Sequence, residues 1–393
     1  MRSTKNWRAT LTLIHYCAVA TLPLVFWAGG SARALVKTDT VWGSSPSQSS
    51  QSSEAESKLQ TGITLTRQGR FSEAIPYFLA ARGHVTDEYA ASFNLALCYL
   101  GTNQFDQAIQ ILDSLTKDGH ETADVNDLLA QAYVGSAQPK KALAAFQQAA
   151  EQNPQNERLY LFVTDACMDH QAYDLGIEIL NLGLQRLPHS ARLHYERGVF
   201  FTFENQPDQA KSDFNAAREL APGSEIFYMA AGQAALLEGN IAEAIRITHQ
   251  GIQNGHENYI LLAIFGAAVA RSGATPSQRE FAEAQKALEK SAAERPDYEV
   301  SQIALGELYL AAGRLDDAIA RLQNARLLAP TDTAIYSHLA IAYRRRGNLD
   351  EEKQMLTILS KLNQEQAEKY KTDSPNKAGY VASGRGIQKN PQQ

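Results

Sequence analysis

His249 and His256 stand seven residues apart. On one continuous helix that spacing would put two imidazoles on the same face, the beginning of a metal site if further ligands converged there. Gly251 and Gly255 fall between and around them and should end the helix first, so no metal is expected. Asp165 and Asp169, four apart, do share a helix face. Paired carboxylates in a groove can do acid–base work; here they read instead as a solvated polar patch or a docking point for a basic partner. No G-x-x-x-x-G-K-[ST] phosphate loop, G-x-S-x-G elbow or H-E-x-x-H helix occurs in the sequence, nor a C-x-x-C pair for zinc or redox work. No catalytic set can be assembled and no cofactor is called for, so the chain reads as a binding protein rather than an enzyme.

The elements that would position such residues follow from the whole chain. Its 393 residues carry a formal charge of −6, and removing the first 34 residues with Arg2, Lys5, Arg8 and Arg33 leaves −10. An acidic body repels phosphate backbones and argues against general nucleic-acid binding. Those four cations frame an export signal: a basic start, an apolar stretch from Ala9 to about Ala28, then Ala32-Arg33-Ala34, an A-x-A site for cleavage after Ala34. His15 and Pro23 interrupt the apolar stretch, which favours a cleaved signal over a retained anchor, the alternative that would make the protein a membrane-tethered adaptor. The Ile14-His15-Tyr16 run before Cys17 lacks the small residues of a lipid-modified cysteine. The expected destination is therefore periplasmic or extracellular.

A period of 34 residues organises the rest. Pro154, Pro188 and Pro222 keep it, as do Pro296 and Pro330, and Gly198, Gly232 and Gly266 keep the same beat. From Pro222 to Pro296 the gap is 74, so one unit holds six extra residues, placed in Ala274–Glu280, where Pro276 and Ser277 fit a helix start. Within 191–224, Leu193, Gly198, Phe201 and Phe203 make one helix. Ala210, Phe214, Ala217 and Leu220 recur at spacings of three or four and make a second. Asn205–Pro207 breaks them apart, and Pro222-Gly223 ends the second. Such a hairpin buries its apolar face only by stacking on neighbours.

These units resemble tetratricopeptide repeats. That pattern wants a small residue at position 8, found as Gly62, Ala96, Ala130, Thr164, Gly198, Gly232, Gly266, Gly306 and Ala340. It wants Ala at position 20, found as Ala74, Ala108, Ala142, Ala210, Ala244, Ala284 and Ala318, with Gly176 and finally Glu352 as departures. Large apolar residues at position 24 include Phe78, Leu112, Phe146, Leu180, Phe214, Leu288, Leu322 and Leu356, while Thr248 breaks the series. With Ala235 in place of the usual aromatic, the sixth repeat is expected to pack lightly. Glu352 reads as the mark of a terminal, solvent-capped repeat. Cys98 and Cys167 fall two repeats apart, about 20 Å by helix-packing distances, beyond the about 7 Å that a disulfide allows, and read as small core residues.

The resemblance implies an all-α fold, a right-handed superhelix (α-solenoid) of about nine helix–turn–helix repeats near 55–88, 89–122, 123–156, 157–190, 191–224, 225–258, 259–298, 299–332 and 333–366. A signal over 1–34 and a Ser/Gln-rich flexible linker over 35–54 precede them; a helix end and disordered tail over 367–393 follow. It also implies that positions 2, 5, 9, 12 and 13 of each first helix line a concave face that binds other proteins. Those positions give Phe93, Leu97 and Leu100; Arg158, Leu161, Asp165, Met168 and Asp169; Arg192, Tyr195 and Val199; Met229, Gln233 and Leu236; Ile303, Glu307 and Leu310; Ile341, Arg344 and Arg345. An apolar strip with polar edges marks a partner site when exposed, and packing between first helices is the alternative for the same residues. The Lys and Asn of the clamp that some family members use for a C-terminal carboxylate are absent, so an extended or helical apolar segment is the better-matched ligand. The function expected is that of an exported scaffold or assembly factor; the alternative is a subunit of a cell-envelope carbohydrate or secretion complex. Oligomeric state is not legible.

Overall fold

The computed structural model describes residues 46–373, and every element in that span is an α-helix. The helices are α1 (Pro46–Arg67), α2 (Phe71–Ala81), α3 (Glu88–Gly101), α4 (Phe105–Lys117), α5 (Ala123–Gly135), α6 (Pro139–Gln152), α7 (Glu157–Asp169), α8 (Tyr173–Arg186), α9 (Ala191–Phe203) and α10 (Pro207–Leu220). There follow α11 (Glu225–Leu237), α12 (Ile241–Gln253), α13 (Tyr259–Arg271), α14 (Arg279–Glu294), α15 (Glu299–Ala311), α16 (Leu315–Leu328), α17 (Thr333–Arg346) and α18 (Leu349–Asp373). They form two compact units that divide at Ala230/Ala231, inside α11.

The period is visible in the backbone. Second helices begin at Phe71, Phe105, Pro139, Tyr173, Pro207 and Ile241, each 34 residues after the last. The turn before each carries a left-handed residue at position 15: Gly69, Gly239, Gly273, Gly313 and Gly347, but also the non-glycines Asn103, Ala137, Gln171 and Asn205, with φ between 54° and 58°. Alanine has no side-chain hydrogen bond to offset that conformation, which costs an L-residue about 1–2 kcal/mol. Ala137→Gly should therefore stabilise the repeat by about 0.5–1 kcal/mol after the extra freedom of glycine in the unfolded chain is deducted. Thermal melts of the two proteins check this, and a lower midpoint for the variant would refute it.

Several first helices start on side-chain caps. Asp87 accepts from the Ala90 amide at 2.8 Å, Ser190 from Leu193 at 2.9 Å and Asp332 from Ala334 at 2.8 Å, each satisfying an otherwise orphaned N–H. A second device recurs six residues after the repeat proline. The Tyr160 and Tyr336 hydroxyls donate to the carbonyls of Pro154 (3.1 Å) and Pro330 (2.7 Å), and Gln302 Nε2 to that of Pro296 (2.9 Å). Position 4 thus latches these three hairpins to the turns that enter them.

Small residues at position 8 do admit position 24. A Cβ on Gly198 would lie 2.8 Å from Phe214, and one on Gly306 would lie 2.6 Å from Leu322. Core residues run from Leu59 to Phe200 in the first unit and from Leu262 to Met355 in the second. Near the start of the second unit the packing is alanine-rich: Ala235, Ala244 and Ala268 form a small cluster with Leu236 and Ile245, and buried Thr248 turns its hydroxyl back to the Ala244 carbonyl at 2.6 Å.

Three expectations are corrected. Helix α1 is described from Pro46 on, inside the segment read as flexible linker, and the Glu54–Lys58 pair at 2.7 Å bridges one of its turns. The insertion is an ordered entry, but α14 starts at Arg279 rather than at Pro276, with Gln278 Oε1 accepting from the Thr275 amide. Glu352 is buried, not solvated: Arg344 reaches it at 2.6 Å and supplies the counter-charge that lets a carboxylate into the helix interface. Residues 1–45, with Ala32 and Ala34, and the tail 374–393 lie outside the described residues.

Candidate partner-binding surface

The candidate strip separates by burial, one unit at a time. In the first unit Phe93, Leu97, Leu100, Tyr195 and Met229 are buried. Phe93 stacks on Tyr89 with centroids 5.6 Å apart, and Tyr195 meets Phe214 at the same separation. Leu161, Met168, Val199 and Arg192 are half-buried, whereas Arg158, Asp165 and Asp169 on α7 are exposed. In the second unit Leu310 is buried, while Gln233, Leu236, Ile303 and Glu307 are half-buried. Ile341, 39% exposed, stands open with Arg344 and Arg345.

First helices are covered on more of their circumference than an amphipathic pattern conveys. Residues 91–98 of α3, 125–132 of α5 and 261–269 of α13 are buried without a break. Buried members of the strip therefore carry packing, and the accessible surface reduces to the half-buried and exposed ones. The arginines are not idle: Arg345 donates to the Leu310 carbonyl at 3.0 Å, tying α17 to α15.

Glu307 is a half-buried carboxyl of this surface. Burial pushes its pKa up, and the nearby positive charges of His338 and Arg271 only partly oppose that; His338 Nδ1 lies 3.5 Å from the carboxylate. A carboxyl whose folded pKa is raised contributes stability below its unfolded pKa and loses it as pH rises through the folded value. At neutral pH the charged form carries the cost, so Glu307→Gln should raise the melting midpoint near pH 7 and leave it almost unchanged near about pH 4. A midpoint lowered at pH 7 would show that the charge is needed where it stands.

The residues with apparent chemistry are placed as follows. His249 Nε2 pairs with Glu283 at 3.2 Å and its ring stacks on Phe265 at 5.3 Å, so it serves the α12–α14 packing. Among the described residues no cluster of three His, Cys, Asp or Glu side chains could hold a metal ion. Cys98 and Cys167 are both buried thiols; burial and the charge of Asp165 push Cys167 up to about 12. Among the described residues no helix is long and apolar enough to cross a membrane.

Two polar groups escaped the reading of the sequence. Gln131 Nε2 donates to Asp127 Oδ2 at 2.9 Å, at positions 9 and 5 of the third repeat; the positional rule finds both once applied there. Asp213 is buried and accepts from Arg197 at 2.7 and 2.8 Å and from His194 at 2.8 Å. Its signal is an acid at position 23, where the other repeats include Ile111, Ala145, Ile179 and Ile247.

Two family models described as "Tetratricopeptide repeat" match the chain, one over residues 65–132 and 277–337 and the other over 128–191 and 203–248. No curated protein matches the sequence. Among solved structures, the Cut9–Hcn1 hetero-tetramer of the APC/C is similar at 14% identity and a TM-score of 0.46, over 78% of this chain and 73% of that one. A tetratricopeptide-repeat protein from Parabacteroides merdae gives 16% identity and a TM-score of 0.46, over 65% and 98%. YrrB, described as a TPR protein with an unusual peptide-binding site, gives 16% and 0.32, over 47% and 93%. The two models between them match more than half of the chain, and the helical hairpins with their small-residue contacts accord with them: it is a tetratricopeptide-repeat protein.

Proposed function

We propose that this protein is an exported scaffold or assembly factor that binds peptide segments of other proteins along the first helices of its repeats. Tetratricopeptide repeats generally mediate protein–protein interactions, and fold alone does not choose the partner. The observation that carries the reading is the residue set left accessible at first-helix positions. In the first unit Leu161, Met168 and Val199 accompany Asp165; in the second Ile303 and Ile341 accompany Arg344 and Arg345. Apolar side chains edged by charge suit a segment with alternating apolar and polar residues. Export rests on the basic start, the apolar stretch and the Ala32–Ala34 site.

A crosslinked pull-down from the native cell envelope tests the binding role. The baits are the wild type, Val199→Asp and Ile341→Asp, which change half-buried or exposed positions and should leave helicity intact. Leu97 and Tyr195 are unsuitable because they are buried. A defined set of proteins lost with either altered bait supports the scaffold. An identical set with all three baits would remove these surfaces from the account. The mass of the mature N-terminus tests export: a chain beginning at Leu35 supports cleavage, and an intact Met1 start replaces it with a tether.

A further inference from the structure

Among the described residues nothing covers one face of α18, the last helix of the second unit. At position 24, Phe78, Leu112, Phe146, Leu180, Leu288 and Leu322 are fully buried, each with a further repeat after it, whereas Leu356 is 41% exposed. With 25 residues α18 also outruns the other second helices, which have 11 to 16. Its open side is a shallow groove along this one helix, lined by Leu356, Leu359, Ser360, Asn363, Gln364 and Ala367.

We propose that a second copy of this chain covers this groove, α18 against α18, antiparallel about a two-fold axis passing between residues 361 and 362. Three observations select that occupant. First, the groove continues the series of helix–helix interfaces in which every earlier position 24 is buried, so a helix is the shape it fits. Second, it is self-complementary when reversed. The axis places Leu356 opposite Ala367 of the second copy, a large residue against a small one, Leu359 opposite Gln364, whose methylene stem can pack on it while the amide reaches solvent, and Ser360 opposite Asn363, a hydroxyl beside an amide; the symmetry makes each match twice. At 3.6 residues per turn Leu356 and Ala367 lie within about 20° of each other around the helix, so both face the same partner. Third, the exposed residues of α1 from Ser52 on, Ser52, Ser53, Glu54, Ser57, Gln60, Thr64 and Arg67, are all polar, so α1 offers no apolar match for a head-to-tail contact with α18. An isologous contact closes at two copies. One helix pair of this length stays below about 1,200 Å² of total buried surface, the range of weak, concentration-dependent association.

Sedimentation equilibrium of the full chain tests this over roughly 1–300 μM, a range that spans micromolar dissociation constants. The wild type should move from monomer toward twice the monomer mass. Leu356→Lys and Ala367→Glu each alter an exposed side chain, so circular dichroism should be unchanged while each weakens the dimer at least about tenfold, as a lone charge in a desolvated contact does. Combining them in one chain places each lysine opposite a glutamate of the other copy and should return the dissociation constant to within about threefold of wild type in low salt. A monomeric wild type throughout, a dimer indifferent to either single change, or single losses that the double change does not recover would each overturn the proposal.

Discussion

Gly266→Val should cost the second unit about 3 kcal/mol or more and lower the melting midpoint of its helices well ahead of any change in the first unit. Gly266 lies in the middle of α13, where residues 261–269 are buried without interruption. A Cβ built there overlaps Leu288 Cγ and lies 2.6 Å from both of its Cδ atoms. Leu288 is at 0% exposure on α14, so its branch point has no open side toward which to move. Valine in place of glycine gains up to about 0.5 kcal/mol of helix propensity, but overpacking a filled core costs about 1–3 kcal/mol per site, and a second γ-carbon adds to the first overlap. The diagnostic comparison is a double-mutant cycle with Leu288→Ala. Alone, that change should cost about 2–5 kcal/mol through the cavity it leaves; combined with Gly266→Val it should cost far less than the two together, because the valine fills the space. Additive losses would mean that the α13–α14 approach is not limited by this contact. Amide hydrogen exchange is the suitable readout, since repeat arrays open locally and one global transition is not assured.

That contact was legible because it repeats. A small residue at position 8 and a bulky one at position 24 recur at a fixed interval, and the interval specifies two helices per repeat, their order and which of their faces meet. The alanines of position 20 obey the same logic: Ala74, Ala108, Ala142, Ala210, Ala244, Ala284 and Ala318 are all at 0% exposure. A period says nothing of positions that break it. Glu352 occupies the alanine position of the last repeat, and its polarity suggested a solvated cap; only the side chain of Arg344, eight residues earlier, reveals how it is buried.

The candidate surface was less legible for a related reason. Periodicity names the face a first helix shows to its own second helix, but neighbouring repeats cover a further arc. Leu97 and Ile341 hold the same position 9 of their repeats, yet Leu97 is 1% exposed and Ile341 39%. Nothing in residue type distinguishes them. What separates them is place in the array: Leu97 lies in α3, with helices packed before and after it, whereas α17 belongs to the last hairpin, which α18 ends. Accessibility at equivalent positions is a property of neighbours, and neighbours are set by where a unit begins and stops.

Asp213→Asn should remove about 3 kcal/mol from the first unit at neutral pH and flatten its loss of stability in acid. Burial alone would raise the Asp213 carboxyl, yet the hydrogen bonds from Arg197 and His194, with the Arg197 charge, outweigh it and hold the carboxyl below the usual range. A group with a depressed folded pKa contributes stability above its unfolded pKa of about 3.9 and loses it as pH falls through the folded value. Wild-type α9 and α10 should thus become progressively less protected below about pH 4, and the asparagine variant should lack that increment of slope. The loss falls at the low end of the range for removing one member of a buried pair, because Arg197 keeps a 2.7 Å bond to Asn181 and part of its solvent. Asp208→Asn is the internal control: it lies in the first turn of the same helix, is exposed, and should shift neither the neutral stability nor the acid slope measurably. Parallel acid transitions for wild type and Asp213→Asn would place the acid sensitivity of this unit elsewhere. A loss of protection confined to α9 and α10 at neutral pH, with the acid slope gone, would identify one buried carboxylate as the clasp between the two helices of the fifth repeat.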